Sequence, residues 1–132
     1  LKRYEGMLKR RKELIRVYDE ILEPLGIESL AHYGNDYRSS GHLYICRVPG
    51  ITSETRNEII EKMAERGIAT NVHYKPLPLL TAYKDLGFDI DGYPNSFARF
   101  ANEVTLPLHT KLTDDEARYV AESFAEIVKD VR

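Results

Sequence analysis

The sequence predicts an α/β domain in which helices alternate with short strands. Three observations carry that reading. Residues 2–23 bear an apolar stripe at helical spacing, and residues 42–48 are a β-branched and aromatic run. Across 42–72 the order is strand, helix, strand, which fits either a βαβ crossover or an α/β-plait. At 132 residues the chain has the size of one domain and can bury a core without disulfides or metals.

Composition narrows the class. Hydrophobic residues make up 42% and charged residues 30%, which is the balance of a globular chain and not of a disordered one. Nineteen Lys+Arg against 21 Asp+Glu leave a net charge of -2, so no dominant phosphate-binding footprint is expected and a nucleic-acid partner is disfavoured. No apolar run approaches a membrane span, and the charged N-terminus has no signal-peptide pattern. Cys46 is the only cysteine, so no disulfide forms within the chain and a reducing, cytoplasmic setting is compatible. The chain starts at Leu1, not Met, inside an expected helix; a piece of a longer polypeptide is therefore expected.

Each element has its own warrant. In the first helix Tyr4, Leu8, Arg11, Ile15, Tyr18, Leu22 and Leu25 recur every three or four residues, with Arg11 the one polar break. Met7, Leu14 and Ile21 widen the stripe, and Pro24 with Gly26 stops it. The basic run Lys9 to Lys12 reads as a solvated helix face, because Glu5, Glu13, Asp19 and Glu20 lie among it. Residues 27–33 read as a short strand, and 35–41 as a polar connector. The run from His42 to Val48 is apolar on both faces and is expected at the sheet centre, with Cys46 as a small buried hydrophobe. Pro49-Gly50 ends it.

Thr52 or Ser53 caps a helix over 54–66 whose buried face is Ile59, Ile60, Met63 and Ala64, and Gly67 closes it. A strand over 68–72 follows. Tyr83 and Leu86 fall on a short helix over 79–86 ending at Gly87, and Tyr83 reads as core. Residues 88–92 form a loop. Pro94 opens another helix, with Phe97, Phe100, Ala101 and Val104 on one face. Residues 105–108 are extended and, because of Pro107, belong at a sheet edge or strand end. Thr113 to Glu116 is a capping box for a last helix over 114–130, burying Ala117, Val120, Ala121, Phe124, Ile127, Val128 and Val131.

The polar chemistry gathers at residues 67–79. There the strand delivers His73, Tyr74 and Lys75 to a loop stiffened by Pro76 and Pro78, a setting suited to displaying side chains at a cleft. His73 reads either as a displayed group or as a structural histidine that holds a loop carbonyl. Tyr74 reads as a ligand hydrogen-bonder or as half-buried packing, and Lys75 as an anion partner or an exposed lysine. Arg47 reads as a structural ion-pair former. The histidines His32, His42, His73 and His109 fall in no metal-ligand frame, and no phosphate-binding glycine motif or nucleophile elbow is present.

The segment from Arg66 to Leu77 resembles the "GI-x-T-x-x-HY-x-P-L" stretch of the DegT/DnrJ/EryC1/StrS aminotransferases. His42 to Pro49 is similar to that family's "HLY-x-x-R-V-P" strand. Pro94 to Leu108 is similar to its segment ending in "LP-L", and Leu112 to Glu116 to the start of its final helix. The resemblance covers nearly the whole chain, in order. It implies a small, mostly antiparallel sheet covered by helices in two layers, as in the C-terminal domain of fold-type-I aminotransferases that use pyridoxal 5'-phosphate (PLP).

It further implies that residues 1–132 are that small domain alone. The Schiff-base lysine, the partner of the pyridine nitrogen and most of the phosphate cup would lie in a preceding large domain. No catalytic residue and no metal ligand is then expected here, and the piece by itself would be inactive. His73, Tyr74 and Lys75 would edge the substrate and cofactor cleft. The implied whole is a cytoplasmic homodimer that moves an amino group from an amino acid to a nucleotide-linked keto-sugar. One position departs: where the family often has a second histidine in "HY-x-P-L-H", this chain has Pro78, so no contact made by that histidine carries over. The competing reading is a free-standing, non-enzymatic α/β module for ligand binding or dimerisation.

Overall fold

The computed structural model describes residues 2–132. It is an α+β fold, a three-stranded antiparallel sheet with helices packed on it. Helix α1 spans Tyr4–Leu22, and Leu14, Ile15, Tyr18 and Leu22 are its buried stripe. Tyr4 and Met7, at the start of the same stripe, are exposed. A 3-10 turn at Glu23–Leu25 carries Pro24, and Gly26 at φ +69 supplies the left-handed exit that the stop signal called for. The expectation of a helix running through Leu1 lies outside the described residues.

Strand β1 shrinks to Glu28–Ser29, and β2 is Tyr44–Arg47. β2 is the central strand as expected, flanked by β1 and by β3 at Glu103–Leu106 in the order β1-β2-β3. Its register with β3 pairs Tyr44 with Leu106, Ile45 with Thr105, Cys46 with Val104 and Arg47 with Glu103. Side chains alternate between faces, so Tyr44, Cys46, Val104 and Leu106 share one face. All four are buried in the core, together with Leu14 and Tyr18 of α1 and Phe124 of the last helix. Cys46 is fully buried, its thiol donating to the Val104 carbonyl at 3.2 Å, and burial pushes the thiol's pKa up.

Helix α2, Ser53–Glu65, is capped by Thr52, whose hydroxyl accepts from the Thr55 N–H at 3.3 Å, and Gly67 takes φ +74. Its buried positions are Arg56, Ile59 and Met63, one helical stripe; Ile60 is half-buried, and Ala64, one step round the helix, is exposed. Helix α5, Asp114–Val131, has the full capping box: Thr113 accepts from the Glu116 N–H at 3.1 Å and donates its own N–H to the Glu116 carboxylate at 2.8 Å. It packs on α1 and α2. Val131 is only half-buried.

Several expectations are corrected. Residues 68–72 are not a strand. They touch the sheet through one antiparallel bridge, Asn71 to Thr105, because the Val72 N–H turns back to the Asn71 side chain and the His73 N–H to that of Glu103. No βαβ crossover forms, and every strand pairing is antiparallel. The helix expected over 79–86 is a 3-10 turn at Leu77–Leu79 followed by a single-turn α3 at Thr81–Lys84.

Finally, no residue from 79 to 101 is buried, so Tyr83 is not core. This stretch packs on itself through Tyr83–Phe88 and Phe97–Phe100 ring contacts, with centroids 6.0 and 6.4 Å apart. Helix α4, Pro94–Ala101, starts at the proline as expected, but Val104 has passed into β3. Pro107 sits just past the end of β3, an outer strand of the sheet.

Candidate functional site

The second face of β3 positions the site. Glu103 and Thr105 alternate with Val104 and Leu106, so they point away from the helical core. Both are nonetheless buried. Residues 71–73 lie against them through four hydrogen bonds. The Asn71 N–H donates to the Thr105 carbonyl at 3.2 Å and the Thr105 N–H returns to Asn71 at 2.7 Å. The His73 N–H donates to Glu103 Oε1 at 2.8 Å, and His73 Nδ1 meets Thr105 Oγ1 at 2.9 Å. Pro76 and Pro78, both buried, anchor the exit.

The carboxylate at the centre of this arrangement has an unusual setting. Burial raises the pKa of Glu103, opposed by the His73 N–H and by the positive charge of Arg56, Arg47 and Arg99. Arg56 is itself buried on α2. It donates to the Phe100 carbonyl at 3.2 Å and lies over the Phe100 ring at 4.7 Å, and burial lowers its pKa. Arg47 donates to Asn102 at 3.1 Å and to Glu28 at 3.1 Å, the structural ion pair expected of it.

Beside this rung runs an open groove of about 300 Å³, lined among others by His42, Thr70, Asn71, His73, Thr105 and Pro107. His73 is half-buried in its wall. Thr70 Oγ1 is buried with no hydrogen-bond partner among the described residues. Tyr74 stands edge-on to the His73 ring, centroids 4.7 Å apart, and is 73% exposed; the peptide bond between them is cis. Lys75 is exposed and, like Tyr74, does not line the groove. The three expected site residues are thus adjacent but unequal: His73 faces the groove, while Tyr74 and Lys75 project beyond it.

An orphaned hydroxyl and a fixed imidazole suit contact with an oxygen-rich polar ligand such as PLP or a sugar. No lysine lines the groove. Glu103, Thr105 and Asn71 escaped the sequence reading. The signal was present in Glu103-Val104-Thr105-Leu106, where polar residues alternate with apolar ones immediately before Pro107.

Comparison with known proteins bears on the whole chain. The model of the DegT/DnrJ/EryC1/StrS aminotransferase family matches residues 1–125. A Streptococcus pneumoniae protein, Spr1654, assigned as a sugar aminotransferase and solved in its PMP form, is 52% identical. It superimposes with a TM-score of 0.97 over 100% of this chain and 33% of its own. The spore coat polysaccharide biosynthesis protein SpsC of Bacillus subtilis is 30% identical over 98% of this chain and 34% of its own length. A UDP-4-amino-4,6-dideoxy-N-acetyl-beta-L-altrosamine transaminase of Campylobacter jejuni is 28% identical over 100% of this chain and 35% of its own. The chain spans about a third of the length of the curated relatives it matches.

Proposed function

The chain belongs to the DegT/DnrJ/EryC1/StrS aminotransferase family, and from that premise we propose that residues 1–132 are the C-terminal small domain of a PLP-dependent aminotransferase. The acceptor is a nucleotide-linked keto-sugar and the donor an amino acid. The observation that carries the reading is the groove wall in which His73 is fastened to β3 with one ring nitrogen engaged. The sugar aminotransferase of Streptococcus pneumoniae and the UDP-amino-sugar transaminase of Campylobacter jejuni that this chain resembles support the substrate class.

PLP bound by the remainder of the protein supplies the electron sink and carries the amino group. This chain's residues shape the rim. His73 orients a polar group of the substrate or cofactor, and the free hydroxyl of Thr70 offers a second contact. Tyr74 and Lys75, exposed beyond the groove, reach a hydroxyl or an anionic group such as the nucleotide diphosphate. The piece alone holds no catalytic residue and is inactive. The intact protein works as a cytoplasmic homodimer. No helix among the described residues is long and apolar enough to cross a membrane.

The test is direct. The gene upstream of Leu1 is read for a large domain with a strand-end lysine, and the full-length protein is incubated with PLP, an amino acid and nucleotide-linked keto-sugars. Amino-sugar formation detected by mass spectrometry is the expected result. A start codon close to Leu1, or no transfer to any keto-sugar, contradicts the reading and favours a non-enzymatic module.

A further inference from the structure

We propose that Glu103 and Thr105 are positioning residues for His73: the Glu103 carboxylate fixes its backbone, and the Thr105 hydroxyl fixes the rotamer of its ring. The ring atom left for a ligand is then Nε2. This deepens the reading of His73 as a cleft residue and rests on it.

The geometry carries the inference. Glu103 and Thr105 are two apart on β3 and so share a face. Each engages a different atom of the same histidine, at 2.8 Å and 2.9 Å. Both are withdrawn from solvent, Glu103 at 8% and Thr105 at 6% exposure. A carboxylate taken out of water is costly unless it is paired. Glu103 has no ion pair within 4.0 Å among the described residues, and its bond to His73 is the one side-chain hydrogen bond they give it. Arg56, Arg47 and Arg99 offset that cost only from a distance, and the group that the carboxylate binds directly is the His73 N–H.

Thr105 is tied in twice. Its backbone N–H and carbonyl hold Asn71, and its hydroxyl holds the imidazole two residues on. The Nδ1 contact holds the ring in one rotamer and leaves Nε2 as the ring nitrogen free to meet a ligand. A histidine that only packed would not need its ring and its backbone fastened by separate side chains.

The experiment uses the full-length polypeptide with histidine labelled at the ring nitrogens. Thr105→Val keeps the shape and both backbone bonds but removes the hydroxyl, while Thr105→Ser keeps it. The expected result is a shift of the His73 ring nitrogen resonances in Thr105→Val and a fall in kcat of about tenfold to hundredfold, the scale of a small misplacement of the bound substrate. Thr105→Ser restores both, and Glu103→Gln, which retains an acceptor, recovers most of the turnover lost in Glu103→Ala. Unchanged ring resonances in Thr105→Val overturn the proposal. So does normal turnover in Thr105→Val when His73→Ala is impaired. If the resonances move but both variants turn over normally, the cleft role of His73 fails, and a positioning role in catalysis fails with it.

Discussion

Replacing Arg56 with methionine removes a buried guanidinium that faces the Glu103 carboxylate without touching it. Arg56 is 3% exposed and Glu103 8%, and no ion pair within 4.0 Å joins them among the described residues. Beyond that separation the attraction of two unit charges is below about 4 kcal/mol at an effective dielectric of ~20, and about 2 kcal/mol at twice the distance. Arg56→Met also loses the bond to the Phe100 carbonyl and the stacking on the Phe100 ring, each worth about 1 kcal/mol. The single substitution is therefore expected to cost about 3–4 kcal/mol. Of this, about 1–2 kcal/mol is expected to be coupling to Glu103.

Urea unfolding of the wild type, Arg56→Met, Glu103→Gln and the double variant closes a cycle that isolates the coupling. The pH dependence fixes its origin. Burial raises the Glu103 pKa, so in the native state the carboxyl binds its proton more tightly than when unfolded. Stability attributable to Glu103 is then greatest in acid and falls as pH rises from about 4.3, the ordinary glutamate value, through the native value. Glu103→Gln should gain on the wild type over that window, and the Arg56–Glu103 coupling should vanish at about pH 4, where the carboxyl is largely neutral. Additivity within about 0.5 kcal/mol at neutral pH, or an equal coupling in acid, would refute the electrostatic reasoning.

Other consequences are simpler to check. Thr113→Ala removes the hydroxyl that accepts from the Glu116 N–H, leaves the backbone half of the capping box of α5, and should cost about 1 kcal/mol in urea unfolding. Burial lowers the pKa of His32, outweighing the opposing pull of Asp19, and His32 Nε2 has no partner among the described residues. The native state therefore resists protonation, and stability drops as pH falls below about 6.5, the unfolded value. His32→Phe should flatten that drop, measured by thermal unfolding between neutral pH and mild acid. Treatment of the 132-residue chain with PLP and borohydride should give no stoichiometric lysyl adduct by mass spectrometry; a single modified lysine such as Lys75 would show that the chain anchors the cofactor by itself.

The helical frame was legible because its signals are local. The stripe of α1, the Thr52 and Thr113 caps, the glycines at 26 and 67 and the proline at the start of α4 each act within one or two turns. What escaped depends on partners far along the chain. Residues 68–72 have strand-like composition, yet the His73 N–H finds the Glu103 side chain 30 positions away, and only the Asn71 bridge forms. Tyr83 looks like core because it is aromatic, but it is only half-buried and packs on Phe88 of its own segment. Arg56 took a core position that apolar periodicity assigns to hydrophobes, because Phe100 supplies both a carbonyl and a ring. The placement of His73 at the end of an extended segment before two prolines was legible, and it lies on the groove wall. The residues that hold it were hidden in a four-residue alternation that an isolated strand does not reveal.

The claim at the centre is that His73 serves the cleft and not the fold. The decisive measurement compares turnover and thermal stability of His73→Ala with those of the wild type, in the full-length protein with PLP, an amino donor and a nucleotide-linked keto-sugar. The loss of one hydrogen bond to Thr105 predicts a stability change of about 1 kcal/mol. A cleft role predicts that turnover falls by about tenfold or more beside that small loss. Unchanged kinetics, or a stability loss large enough to account for the whole fall in activity, would reduce His73 to a structural residue.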